Sequence, residues 1–392
     1  MPIRKSSSSV IRGCRGALAL AGALILLAPG PSAAPAASPQ NPPADPNSPH
    51  IGVTITGTAQ RQIPIAIPAI QLVGGASDPD ISTAAGLIRS VVASDLEFSG
   101  LFNVLPPSLY ASVAFTSGRL PLRDFAALGA QGVVIGSISR QAPGIAVEGL
   151  IYDPPSEALI AGKRYRGEPS LARDIAHRIS NDVLIAYTGR PGVALSRIVT
   201  VGRVGKGKEI FVMDYDGHDI KQITKNQSLN VSPAWSPDGK RLAFVSYRHG
   251  NPRLYIYNGG DGSLVDRSPP GSELCVAPEW SPDGRLIAFS SSSGGDSEIF
   301  LLDVATGRSR QITFHRGSDT APTWSPSGRE LAFTSDRSGR PHLYVMDAEG
   351  ANVRPVTSEG NYNDSAAWSP DGRRLAYASR IDGRFDILVM DL

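Results

Sequence analysis

The apolar positions of this chain follow two regimes, a mixed one up to about residue 190 and a repetitive one after Ser196. In the first, alternating stretches at 51–55 (IGVTI) and 63–67 (IPIAI) read as strands. Ile81, Ala84, Leu87, Ile88, Val91, Val92 and Leu96 recur at helical spacing and predict a helix over 80–98. A short helix over 122–128 leads into an apolar strand at 132–139 (GVVIGSIS), with further strands at 145–152 and 159–165. Leu171, Ile175, Ile179, Val183 and Leu184 share one face of a closing helix over 170–187. The expectation is a small α/β domain over 51–190.

The second regime is a repeat. All four tryptophans, Trp235, Trp280, Trp324 and Trp368, stand in one motif, 45, 44 and 44 residues apart. The copies begin AWSPDGKRLAF, EWSPDGRLIAF, TWSPSGRELAF and AWSPDGRRLAY. That period suits four short strands with tight turns, the unit of a propeller blade. In Ser236-Pro237-Asp238-Gly239, proline presets φ at the second turn position and glycine tolerates positive φ at the end. The tryptophan is placed to pack one blade on the next, with Tyr255, Phe300 and Tyr344 filling the same seam. A partial copy over 197–224 lacks its own first strand, and the last copy reaches only a third strand at Leu392. The reading is a β-propeller over 196–392 with 18 strands in five units. Closure of such a ring is expected to require more chain at the C-terminal side.

The first 37 residues read as a secretory signal: basic residues, an apolar run over 16–29, then small residues around Ala33–Ala37. Residues 38–50, rich in proline and alanine, read as a flexible leader. The net charge of +2 depends on the signal. Removing Arg4, Lys5, Arg12 and Arg15 from the 38 basic residues leaves 34 against 36 acidic ones, a formal −2. With no basic stripe, nucleic acid is excluded as the expected partner. Of the two cysteines, Cys14 lies in the signal, so Cys275 has no intramolecular partner and reads as a buried small hydrophobe.

The stretch IGVTITGTAQRQIPIAIPAI, a helix ending in DLEFSGLFNVL, GVVIGSIS and the WSPDG blades together resemble the TolB family, over roughly 51–392. The resemblance implies a propeller of six-bladed type, of which about five blades are visible here, behind a small α/β domain. It also implies a monomeric, non-enzymatic periplasmic adaptor of the Tol-Pal system without cofactor or metal. In the family the mature N-terminal segment binds TolA, an inner-membrane protein, and the propeller binds Pal, a peptidoglycan-associated lipoprotein. Carried onto this chain, the TolA segment falls on 50–56, with Ile51, Val53 and Ile55 on one face of an extended strand. The same pattern also fits a strand within its own domain.

For Pal, the loops before each first strand and those joining second to third strands are expected on one side of the propeller. They carry Asn230, Glu273, Asp319, Thr320, Asn363 and Asp364, with Arg248, Arg337 and Arg380, a polar rim of mixed charge. Each of these also reads as a loop-capping or solvated side chain. The alternative of a propeller-containing peptidase or lyase finds little support. No G-x-S-x-G elbow occurs, and His218, His249, His315 and His342 do not align in the repeat.

Overall fold

A computed structural model describes residues 62–74, 78–115, 120–292 and 295–392. The signal, the leader and the Ile51, Val53, Ile55 segment lie outside them. Two compact units result: residues 62–198 together with Met213–Asp219, and Val199–Val212 together with Ile220–Leu392.

In the N-terminal unit the elements run β1 (Ile63–Ala66), β2 (Gln71–Val73), α1 (Pro79–Phe98), β3 (Phe102–Val104), α2 (Leu122–Ala127), β4 (Gly132–Gln141), β5 (Gly144–Asp153), β6 (Ala158–Gly167) and α3 (Ala172–Thr188). The strands form one mixed sheet in the order β3-β1-β4-β5-β6, with β2 also on β4. The continuous apolar run of β4 is explained by burial on both faces. Val134 and Ile138 enter a core built with α1 and α3, while Val133 and Ile135 face a second cluster with Leu122 and Phe125 of α2. Complete burial of a side chain such as Ile88 contributes about 2 kcal/mol.

Asp78 caps α1 by accepting the N–H groups of Asp80 and Ile81, and Pro79 occupies its first turn. Gly189, at φ 71°, ends α3 in the left-handed conformation. Two positions depart from the periodicity. Leu87 is 38% exposed at the edge of the α1 stripe. Leu171 is 47% exposed because a 3-10 turn over Pro169–Leu171 precedes α3, which takes it off the helical face. Among the described residues no helix is long and apolar enough to cross a membrane.

The second unit holds five antiparallel sheets. They are β7 (Arg197–Val204), β8 (Gly207–Asp214), β9 (Lys221–Gln222); β10 (Asn230–Trp235), β11 (Arg241–His249), β12 (Asn251–Asn258), β13 (Leu264–Asp266); β14 (Leu274–Trp280), β15 (Leu286–Ser292), β16 (Glu298–Asp303), β17 (Ser309–Gln311); β18 (Asp319–Trp324), β19 (Glu330–Ser335), β20 (His342–Asp347), β21 (Arg354–Pro355); and β22 (Asn363–Trp368), β23 (Arg374–Ile381), β24 (Arg384–Asp391). The Ser-Pro-Asp-Gly turns form as their chemistry requires. Gly239, Gly284, Gly328 and Gly372 all take φ between 65° and 71°. Ser236 Oγ donates to Asp238 and accepts the N–H of Arg241, so serine and aspartate lock the reversal together.

The tryptophans occupy the seams. Trp280 is buried with Ala243, Leu254 and Ile256 of the preceding blade and Ile287 and Phe289 of its own. Trp324 is buried against Ala288, Ile299 and Leu301 in the same way. Each first strand of the four-copy repeat is interrupted by a bulge, at Ser232, Ala277, Ala321 and Ser365, where φ is 49–56°. Cys275 is buried, as read from the sequence.

Candidate partner-binding face

Strand pairing places the candidate rim residues near one end of each of the four repeat blades. Asn230 pairs with Ser246, Leu274 with Ser292, Asp319 with Ser335 and Asn363 with Ser379. The start of each first strand therefore lies beside the end of the second, where Arg248 and Arg380 stand in the last residues of β11 and β23 and Arg337 in the turn after β19. Arg248, Glu273 and Arg380 are exposed there, and Thr320, Arg337 and Asp364 are half-buried.

Asp319 and Asn363 are a correction: at 0% and 2% exposure, like Asn230 at 0%, they are interior residues and present nothing to a partner. The reason is that Asn230 and Asn363 reach inward to Glu209 and His342 of the preceding blade, while Asp319 is covered by Arg337. Arg337 is half structural as well. It donates to Asp319 Oδ2 at 2.7 Å and Ser335 Oγ at 2.9 Å, and lies over the rings of Phe333 and Tyr344. Asp364 accepts from Thr334 Oγ1 at 2.8 Å and from the Tyr362 hydroxyl at 3.2 Å. Burial, then the Asp364 charge, pushes the Tyr362 hydroxyl up to about 12.

Behind this face runs a recurring polar network that the sequence reading did not single out. An N–H near the start of each third strand donates to a hydroxyl just after the fourth: Ile210 to Thr224, Leu254 to Ser268, Ile299 to Thr313, Leu343 to Thr357. At two seams the residue before that N–H contacts the first residue of the next blade directly, while Arg253 instead donates to Asp266 Oδ2. Glu209 accepts from Thr224 Oγ1, from the Gln227 N–H and from Asn230 Nδ2 at 3.0 Å. His342 Nδ1 lies 3.1 Å from Asn363 Nδ2. The signal was present: Glu stands before Ile-Phe at 209 and 298, and Gln-Ile-Thr recurs at 222–224 and 311–313.

The N-terminal unit holds a second cluster, also unforeseen. His177 on α3 faces Asp95 on α1 through Nδ1 at 2.9 Å and Asp216 through Nε2 at 3.4 Å. Arg173 donates to Asp216, and the Tyr215 hydroxyl donates to Asp95 Oδ1. Burial opposes charging of His177, but the hydrogen bond and charge of Asp95, with the charge of Asp216, outweigh it and raise its pKa. For Asp216 burial is likewise the largest influence, and the Arg173 hydrogen bond leads the group that overcomes it and lowers the pKa. Asp95, His177 and Asp216 are close enough to ligate one ion. Their two imidazole contacts point to different carboxylates, and a guanidinium occupies Asp216, so the arrangement fits a charge-balanced hydrogen-bonded cluster.

A family model for the TolB beta propeller domain matches residues 186–392, and one for the TolB amino-terminal domain matches 51–158. The chain is 35% identical over 257 residues to the Tol-Pal system protein TolB of Cereibacter sphaeroides (strain ATCC 17029 / ATH 2.4.9), covering 64% of this chain and 54% of that one. It is 33% identical over 208 residues to the Tol-Pal system protein TolB of Desulfosudis oleivorans, covering 52% and 47%. The chain thus spans about half the length of the curated relatives it matches. The crystal structure of TolB from Acinetobacter baumannii is similar with a TM-score of 0.72 at 28% identity, over 84% of this chain and 80% of that one.

Proposed function

The chain belongs to the TolB family, and on that premise we propose that it is a non-enzymatic periplasmic adaptor of the Tol-Pal system. In this reading a Pal-like lipoprotein docks on the propeller face, and a TolA-like inner-membrane protein takes up the segment of Ile51, Val53 and Ile55. The protein is a monomer that reaches both membranes only through these partners, and it supports outer-membrane integrity during division. The observation that carries the propeller half is the gathering of Arg248, Glu273, Thr320, Asp364 and Arg380 at one end of successive blades. Exposed charges of both signs around half-buried hydroxyl and carboxylate groups suit a wet, hydrogen-bonded protein interface. Arg337 belongs to this face as the clamp that holds Asp319 and its turn in place.

Calorimetric titration of the signal-free protein with the soluble Pal domain of the same organism tests the reading. Micromolar or tighter binding is expected, and heat equal to dilution would overturn it. Reciprocal coupling further requires that saturating Pal change the affinity for TolA.

A further inference from the structure

The positions of Glu209 and Asn230 recur on the later blades with chemical differences: as Arg253 and Cys275 one blade on, Glu298 and Asp319 two blades on, and His342 and Asn363 three blades on. Glu298 takes the place of Glu209, with Oε2 accepting from Thr313 Oγ1 at 2.5 Å and Oε1 from the His315 N–H at 2.8 Å. Its counterpart on the next blade is Asp319, which has no N–H to give. Asp319 is wholly buried, its Oδ2 takes Arg337, and its Oδ1 is buried with no hydrogen-bond donor among the described residues. Two carboxyl groups therefore meet, Glu298 and Asp319, where two other seams pair carboxylate with amide (Glu209–Asn230) or imidazole with amide (His342–Asn363), and where Arg253 is instead taken by Asp266.

We propose that Glu298 and Asp319 share one proton, the Glu298 carboxyl donating to Asp319 Oδ1, so that the seam between these blades is a proton-binding site. The charge count supports this. Glu298 and Asp319 bring two potential negative charges, and Arg337 supplies one positive charge to the pair. The other charged groups around it are Asp336, whose Oδ1 accepts the Ser318 N–H, and His315, whose Nδ1 accepts the Gly317 N–H. Neither gives a hydrogen to Asp319 Oδ1. A proton restores the hydrogen bond that Asn230 makes with its own N–H, and two interacting buried carboxyl groups cannot both ionise cheaply. Burial first, and the Asp319 charge after it, raise the Glu298 pKa, which agrees with a retained proton.

A group whose native pKa is raised contributes stability that is complete below its ordinary value, 4.5 for Glu298, and lost as pH rises through the native value. The test is thermal unfolding of the full chain between pH 4 and pH 9 beside Asp319→Asn, which installs the combination that Glu209 and Asn230 already use. Asp319→Asn keeps an acceptor for Arg337 and a permanent N–H for Glu298. The wild type is expected to lose about 2–4 °C more than Asp319→Asn over that range. Glu298→Gln, which donates to Asp319 Oδ1 at every pH, is expected to flatten the profile likewise and serves if Asp319→Asn folds poorly. Infrared difference spectra should show a protonated-carboxyl C=O band in the wild type that disappears in both variants. Parallel profiles without that band would overturn the proposal. A calcium-dependent rise in Tm confined to the wild type would also overturn it, assigning the site to a cation.

Discussion

Trp280 donates its indole N–H to the carbonyl oxygen of Ala234, one blade earlier, at 3.2 Å. Trp368 repeats the contact to Thr323 at 3.3 Å, so these two tryptophans both fill a seam and tie it by a hydrogen bond, while the indole N–H groups of Trp235 and Trp324 find no partner among the described residues. Trp280→Ala is expected to cost about 3–5 kcal/mol, the range for removing a large buried aromatic side chain. Trp280→Phe keeps most of the volume and leaves the Ala234 oxygen without its donor, for about 1–2 kcal/mol. Urea unfolding followed by tryptophan fluorescence checks both, and an unchanged midpoint in Trp280→Phe would show that the tie contributes nothing.

Turn chemistry separates backbone from packing at Gly284. A Cβ there would meet nothing closer than 3.7 Å, yet φ is +70°. Gly284→Ala should therefore destabilise by about 1 kcal/mol through conformation alone, measured as a shift in denaturation midpoint with unchanged m-value. The neighbouring Asp283 carboxyl is held below its ordinary value by the Ser281 hydroxyl, then by the Arg285 N–H. Its contribution is present above pH 3.8 and fades as pH falls through the lower native value, so Asp283→Asn should reduce the acid sensitivity of unfolding.

His177 predicts the opposite slope in the N-terminal unit. Its pKa is raised, so its contribution is complete below pH 6.5 and lost as pH rises through the native value. Hydrogen exchange of the 213–219 peptide, corrected for intrinsic rates, should show weakening protection on the alkaline side. His177→Asn should remove that dependence. An unchanged profile in the variant would mean that Asp95 and Asp216 are held without the imidazolium.

Arg248 and Arg337 should part company on substitution. Arg248 is exposed and its guanidinium lies 5.8 Å from the Tyr255 ring, so Arg248→Glu should weaken Pal binding roughly tenfold with little change in Tm. Arg337→Ala leaves the buried Asp319 carboxylate unpaired and should cost about 3 kcal/mol of stability. Calorimetry and unfolding on the same two variants decide the assignment.

The contrast between these arginines marks where the sequence stops being readable. The blades were legible because Trp, Pro and Gly recur at fixed spacing and each has a backbone or packing reason to stand there. Asp319 and Asn363 were mistaken for rim residues because alternation along a strand gives a side chain's face, while depth depends on the neighbouring blade. Leu171 was misplaced because a 3-10 turn continues the helical spacing without its direction. The Asp95–His177–Asp216 cluster joins residues from α1, α3 and a segment beyond β7, with no local pattern to announce it. The Glu298–Thr313 pair did leave a trace, Glu before Ile-Phe and Thr after Gln-Ile.

The bulges at Ser232, Ala277, Ala321 and Ser365 give every complete first strand the same bend, written within its own repeat. All four positions hold serine or alanine in a conformation that strains any residue with a Cβ, so the surrounding ladder must hold it, and Ala321 has its N–H caught by Ser290 of the blade before. Curvature is thereby inherited with each copy. A tandem gene duplication that adds or exchanges one blade delivers a piece already shaped to its neighbours, so these proteins can diversify by recombination of whole repeats without redesigning the ring.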